Sequence, residues 1–185
     1  MVGTFEGEKF DPETKILKGN AGKGFYAAQT FSDAPKKRIV QMGWLQAPSP
    51  GMAFNQAMSL RLELGLKTTP EGPRLTRTPV KELDALRSKS RSWDAREYKA
   101  GESTAKEFGG SQWEVRGTFQ PDDAARFELG VGGAVLSYDA KANELKLGDH
   151  KVEVPLREGR LSIRLYIDRT AHRGRRKMAK LKSAF

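Results

Sequence analysis

The chain has 185 residues, 37% hydrophobic and 30% charged, with 33 Lys and Arg against 23 Asp and Glu for a formal net charge of +10. That composition excludes a fibrous or low-complexity chain and suits one well-buried domain or two small ones. The lack of Cys removes disulfides and thiolate metal sites, and only two His are present, so carboxylates are the available catalytic acids and bases.

Every apolar run falls far short of the roughly 20 residues that span a bilayer. The opening "MVGTFEGEKF" shows neither the basic nor the apolar region of an export signal, so neither a membrane partner nor a leader is expected in the chain as written. The positive charge is uneven. Residues 171–185, "AHRGRRKMAKLKSAF", hold six of the 33 basic residues and no acidic one, leaving 27 basic against 23 acidic in residues 1–170.

In chain order, "KGFYAAQTFSDAPKKRIVQMGWLQ" (23–46) reads as two strands, 25–32 and 38–46, joined by a charged turn. A third strand, 58–68, places Leu60, Leu62, Leu64 and Leu66 at every second position, the period of a half-buried strand. After the turn "TPEGP", Thr78 as N-cap and Pro79 at the first helical position predict a short helix over "VKELDALR". Residues 87–112 are polar and weakly periodic, which places a boundary near 88–92. Alternation resumes at Trp113, Val115 and Phe119, continues at Phe127, Leu129 and Val131, and returns at Leu161, Ile163, Leu165 and Ile167. About six short strands separated by "QPDD", "GVGG", "DAKAN" and "LREGR" predict an antiparallel β-sandwich. No internal repeat defines a complete propeller within the chain.

The blocks "GKGFYAAQTFSD", "RIVQMGWLQ", "PGMAFNQAMSLRLELGLKTTPEGPRLTRTPVKEL", "FELGVGG", "LSYDAKANEL" and "EGRLSIRLYIDRT" occur in an order and spacing that resembles glycoside hydrolase family 32, the levanases, inulinases and invertases. The resemblance covers roughly residues 1–170. It implies an all-β chain: residues 1–88 as the end of a five-bladed propeller, an incomplete one consisting mainly of its last blade, and residues 89–170 as a truncated C-terminal β-sandwich. Residues 171–185 then form a basic tail outside the family pattern, for which a change of reading frame after Thr170 is one account. The family's nucleophilic Asp in Asn-Asp-Pro, its stabilising Asp in Arg-Asp-Pro and its acid in Glu-Cys are absent from this sequence. The expectation is therefore a β-fructosidase-type chain without catalytic residues of its own, inactive alone, whose parent enzyme takes fructan or sucrose and for which a separate chain carrying the remaining blades is a conceivable partner.

Trp44 reads either as a core aromatic or, on the resemblance, as a ring lining a sugar subsite. Tyr26, Lys23 and Asn20 are further substrate-contact candidates. Regular strand geometry sends Tyr26 and Gln29 to opposite faces, so only one of them would share a face with the sugar. Asn55 and Gln56 suit a turn. Asp139, Asn143 and Asp149 suit hairpin turns rather than a calcium site, so no metal and no cofactor is expected. Two alternatives stand beside the fructosidase reading: a non-catalytic carbohydrate-binding or interaction module, and a nucleic-acid binder acting through the basic tail. That tail interleaves no aromatic with its charges before Phe185, and a solvated or out-of-frame extension explains it more simply.

Overall fold

The computed structural model describes residues 1–20, 22–99, 112–122, 125–131, 134–168 and 180–184. Those residues are all-β, apart from two short 3₁₀ segments at Pro35–Lys37 and Lys81–Leu86. They divide into two compact units, Met1–Ala47 with Gln56–Ser92, and Pro48–Asn55 with Trp93–Phe185.

The first unit begins with a hairpin of β1 (Gly3–Phe5) and β2 (Phe10–Pro12). Its main element is an antiparallel meander of β3 (Phe25–Thr30), β4 (Ile39–Leu45), β6 (Leu62–Thr69) and β7 (Gly72–Pro79), ordered β3-β4-β6-β7, with β5 (Ala57–Met58) beside the end of β4. The β6–β7 hairpin closes over Pro70 and Glu71. Proline presets the backbone at the first central position of such a turn, and the Thr69 hydroxyl donates to Gly72 O at 2.8 Å.

Strand β7 and the segment after it correct the expected helix. Thr78 and Pro79 pair with Glu63 and Leu62 in the sheet, and the 3₁₀ turn starts only at Lys81, after an extended Val80 that offers no side-chain cap. Pro79 sits at the end of its strand, where a missing N–H costs no ladder bond. Arg38 ties the turn to the sheet, donating to Glu82 Oε1 at 2.7 Å and Glu63 Oε2 at 3.4 Å.

The leucine row of β6 does alternate, but it does not cover a closed core. Register places Leu62, Leu64 and Leu66 on the face that carries Ile39 and Leu75, and there Ile39 is 55% and Leu66 66% exposed. Val40 and Val80 are the buried hydrophobic residues of this unit among those described.

The second unit is a sandwich. One sheet runs β12-β11-β10-β9-β14, from His150–Glu153, Glu144–Leu147, Ala134–Asp139, Arg126–Val131 and Lys180–Ala184; the other pairs β8 (Trp113–Phe119) with β13 (Leu161–Ile167). Phe127, Tyr138, Ala140 and Leu161 form the buried centre, with Phe119, Leu145 and Ile163 packed against them. The Phe119 and Phe127 rings stack at 4.5 Å and Tyr138 tilts against Phe127 at 5.8 Å, separations typical of favourable aromatic pairs. Tyr138 is 1% exposed, and its hydroxyl donates to Val154 O at 2.9 Å, which satisfies the one polar atom that this large side chain carries inward. Strand β14 lies within the basic stretch and pairs antiparallel with β9, Leu181 opposite Leu129. Residues 171–179 and 185 of that stretch lie outside the described residues.

Candidate functional site

The aromatic hairpin of β3 and β4 is the feature that local sequence leaves most open. Phe25 pairs with Leu45 and Tyr26 with Trp44, but the next pairs are Gln29 with Met42 and Thr30 with Gln41. Two residues of β3, Ala27 and Ala28, therefore stand opposite Gly43 alone. This is a β-bulge, and Ala27 adopts the left-handed φ of 44° that a bulge residue often takes.

The bulge overturns the expected parity of this strand. Trp44 and Met42 are two residues apart on β4 and share a face, so their partners Tyr26 and Gln29 share it as well. Met58 of β5 pairs with Trp44 from the other side, which extends the same face across three strands.

The result is an open apolar shelf. Tyr26 is 62% exposed, Met58 56% and Trp44 39%. The Tyr26 and Trp44 rings lie 6.2 Å apart at 59°, so each limits the rotamers of the other. Their position is set by backbone bonds: Gln46 N–H donates to Gly24 O at 2.7 Å, and Gly43 N–H donates to the Ser59 hydroxyl at 3.0 Å. Gly24 has a φ of +87°, and an added Cβ would lie 2.9 Å from Gln46 O, so this junction accepts no side chain.

The four candidates from sequence separate. Tyr26 and Trp44 are brought together. Asn20 is held elsewhere: its Oδ1 accepts from Arg77 at 3.0 Å, Gly19 O accepts from the same guanidinium, and Arg77 lies 5.8 Å over the Phe25 ring. Phe25 and Arg77 belong to the opposite face of the sheet from Tyr26. Lys23 is exposed and immediately precedes Gly24. Sequence reasoning did not include Gln29, Met42 and Met58 in the shelf. Only the bulge and the short β5 pairing bring them there, and neither has a periodic signature.

The shelf suits binding more than bond cleavage. An indole or phenol face presents a negative quadrupole to the C–H groups of a sugar ring, with neighbouring amides for its hydroxyls. A general acid, by contrast, needs a carboxyl held protonated by an unfavourable environment. Among the described residues, Glu82 and Asp139 are pushed the other way. The Arg38 guanidinium holds Glu82 below the ordinary range, and Asp139 is lowered by the backbone N–H of Ala142 and then by Arg126. Among the described residues no group of three or more His, Asp or Glu is placed to hold a metal ion.

Residues 1–79, which contain β1 to β7, match the family described as the glycosyl hydrolases family 32 N-terminal domain. The chain belongs to glycoside hydrolase family 32. It is 33% identical over 150 residues to the levanase of Bacillus subtilis, which covers 71% of this chain and 21% of that protein. It is 27% identical over 153 residues to the fructan β-fructosidase of Streptococcus mutans, covering 69% of this chain and 11% of that protein. The chain thus spans about a fifth or less of the length of these two relatives. Among solved structures, the exo-inulinase of Aspergillus awamori superposes with a TM-score of 0.79 at 19% identity, over 98% of this chain and 46% of that one, a likeness of fold. Family 32 membership agrees with the all-β architecture and with a four-stranded antiparallel meander of the kind that forms a propeller blade.

Proposed function

We propose that this chain is a fructan-contacting part of a β-fructosidase and does not carry out hydrolysis by itself. On this reading residues 1–88 are the last blade of the propeller, residues 89–170 are the C-terminal sandwich, and residues 171–185 are a basic segment outside the family pattern whose Lys180–Ala184 adds a strand to the sandwich sheet. Tyr26 and Trp44 contact the sugar by ring stacking, with Lys23 at the end of the shelf and Asn20 positioning the Arg77 side of the sheet.

The observation that carries the proposal is the exposed Tyr26–Trp44 pair, built on a bulged hairpin within the residues that match the family. Large aromatics left open on a structured sheet are costly unless something covers them. Burying such a side chain is worth about 1.5–3 kcal/mol. The names of the relatives, levanase and fructan β-fructosidase, make β-fructosides the substrate class to test.

The lack of hydrolysis follows from chemistry. A retaining glycosidase needs a nucleophilic carboxylate and a protonated carboxyl about 5–5.5 Å apart. The family's three catalytic motifs are absent from the sequence, and Glu82 and Asp139 are stabilised as anions. The purified chain, incubated with sucrose, inulin and levan, is expected to release no fructose. Turnover that disappears on substituting an Asp or Glu of this chain would overturn the proposal.

A further inference from the structure

We propose that Met58 is a modification site, at which a hydroperoxide oxidises the thioether to a sulfoxide and so turns the Trp44 side of the shelf from apolar to polar. The modification follows from the geometry of β4 and β5 alone. Its effect on fructan rests on the reading of the shelf given above.

Strand β5 is two residues long and sets Met58 directly opposite Trp44. The next residue fixes that placement twice: Ser59 N–H donates to Gly43 O at 2.8 Å, and the Ser59 hydroxyl accepts from Gly43 N–H at 3.0 Å. Residues directly opposite on antiparallel strands share a face, with Cβ atoms about 4.5–5.5 Å apart. The thioether therefore stands beside the indole, at the separation where sulfur and aromatic rings attract one another. It is also open, since Met58 is 56% exposed. Met42 lies on the same face but is half-buried, and so is Met52; Met1 is exposed but precedes β1, and Met178 lies outside the described residues. Among the described methionines, Met58 thus combines an accessible sulfur with a place on the shelf.

Accessibility matters because the peroxide must reach the sulfur in line with its oxygen–oxygen bond. The sulfur lone pair attacks the outer peroxide oxygen, the sulfur–oxygen bond forms as the oxygen–oxygen bond breaks, and the transferred hydroxyl gives its proton to the departing oxyanion. Sulfur loses two electrons and the peroxide gains two, leaving sulfoxide and water or an alcohol. The product is a polar, chiral side chain in place of a flexible apolar one. Its oxygen accepts hydrogen bonds and holds water at the edge of the Trp44 ring, where stacking against sugar C–H groups needs water excluded. Oxidation therefore lowers the apolar area of the shelf without altering Tyr26, Trp44 or the bulge.

The test treats the full chain and M58L with hydrogen peroxide. Three things are read: peptide mass spectra, retention on a phenyl hydrophobic-interaction column, and retardation by levan in native gels. Met58 is expected to gain one oxygen faster than Met42 and Met52. The oxidised chain is expected to elute earlier from the phenyl column and to bind levan about fivefold more weakly. Peroxide should shift neither reading in M58L, each judged against untreated M58L. Earlier elution on oxidation in a chain that levan never retarded would support the modification site and contradict the fructan reading. Met58 oxidising no faster than Met42, retention unchanged once Met58 is oxidised, M58L shifting as much as the wild type, or levan binding untouched by oxidation would each overturn the proposal.

Discussion

Tyr26 and Gln29 lie on the same face of strand β3 although they are an odd three positions apart, because Ala27 and Ala28 together occupy the place opposite Gly43. The extra residue turns an odd spacing into an even one. The hairpin therefore presents an aromatic ring and a side-chain amide together, next to Trp44, where a regular strand would have divided them.

The bulge reverses the usual effect of glycine. In a regular strand, Ala to Gly costs backbone entropy and packing. At Ala27 the φ of 44° is strained for a residue with a Cβ, by roughly 1–2 kcal/mol. A27G is expected to raise stability by about 0.5–1 kcal/mol in urea unfolding, and A28G to lower it. If both substitutions destabilise alike, the bulge is misplaced.

In the sandwich, the Tyr138 hydroxyl is the polar atom at the centre of the core and donates to Val154 O. Y138F keeps the ring and leaves that carbonyl without its donor. The expected loss is about 1–2 kcal/mol, read as a lower urea midpoint at unchanged m-value. An unchanged midpoint would mean that the hydroxyl contributes nothing to the sandwich.

Asp139 sets an acid dependence. The Ala142 N–H at 3.0 Å and Arg126 Nε at 2.7 Å favour its charged form and lower its pKa below the unfolded value of about 3.9. A native group that gives up its proton more readily than the unfolded one stabilises the fold fully above the unfolded pKa. The contribution is lost as pH falls through the lower native pKa. D139N is therefore expected to be less stable than the parent at neutral pH, with the two curves converging as pH falls below the unfolded carboxylate value of about 3.9 and through the lower native one. A gap that persists undiminished in acid would show that the stabilisation does not come from the charge.

Much of the fold was legible from periodicity, and the failures share a cause. Phe127 and Leu129 alternate in sequence and are buried in the structure, because they pack against a second sheet. Strand β7 was missed because Arg74, Thr76, Arg77 and Thr78 leave only Leu75 as a large apolar residue, and the polar run ending in Thr78-Pro79 imitates a helix start. Nothing local distinguishes that start from a strand end; the pairing with β6 decides it. The candidate site was half legible. Trp44 and Tyr26 stood out as aromatics, whereas the partners that accompany them depend on a bulge hidden in "FYAAQ". Asn20 was drawn into the site by its closeness in sequence, but Arg77, 57 residues away, holds it.

The central claim is that the Tyr26–Trp44 shelf binds fructan. Its most direct measurement is affinity electrophoresis of the wild-type chain, W44A and Y26A in native gels with and without levan or inulin. The account predicts that polysaccharide retards the wild type, that W44A loses about tenfold or more in affinity from a lost stacking contact of about 1.5 kcal/mol, and that Y26A loses less. Mobility unaffected by either polysaccharide, or retarded equally in all three proteins, would contradict it.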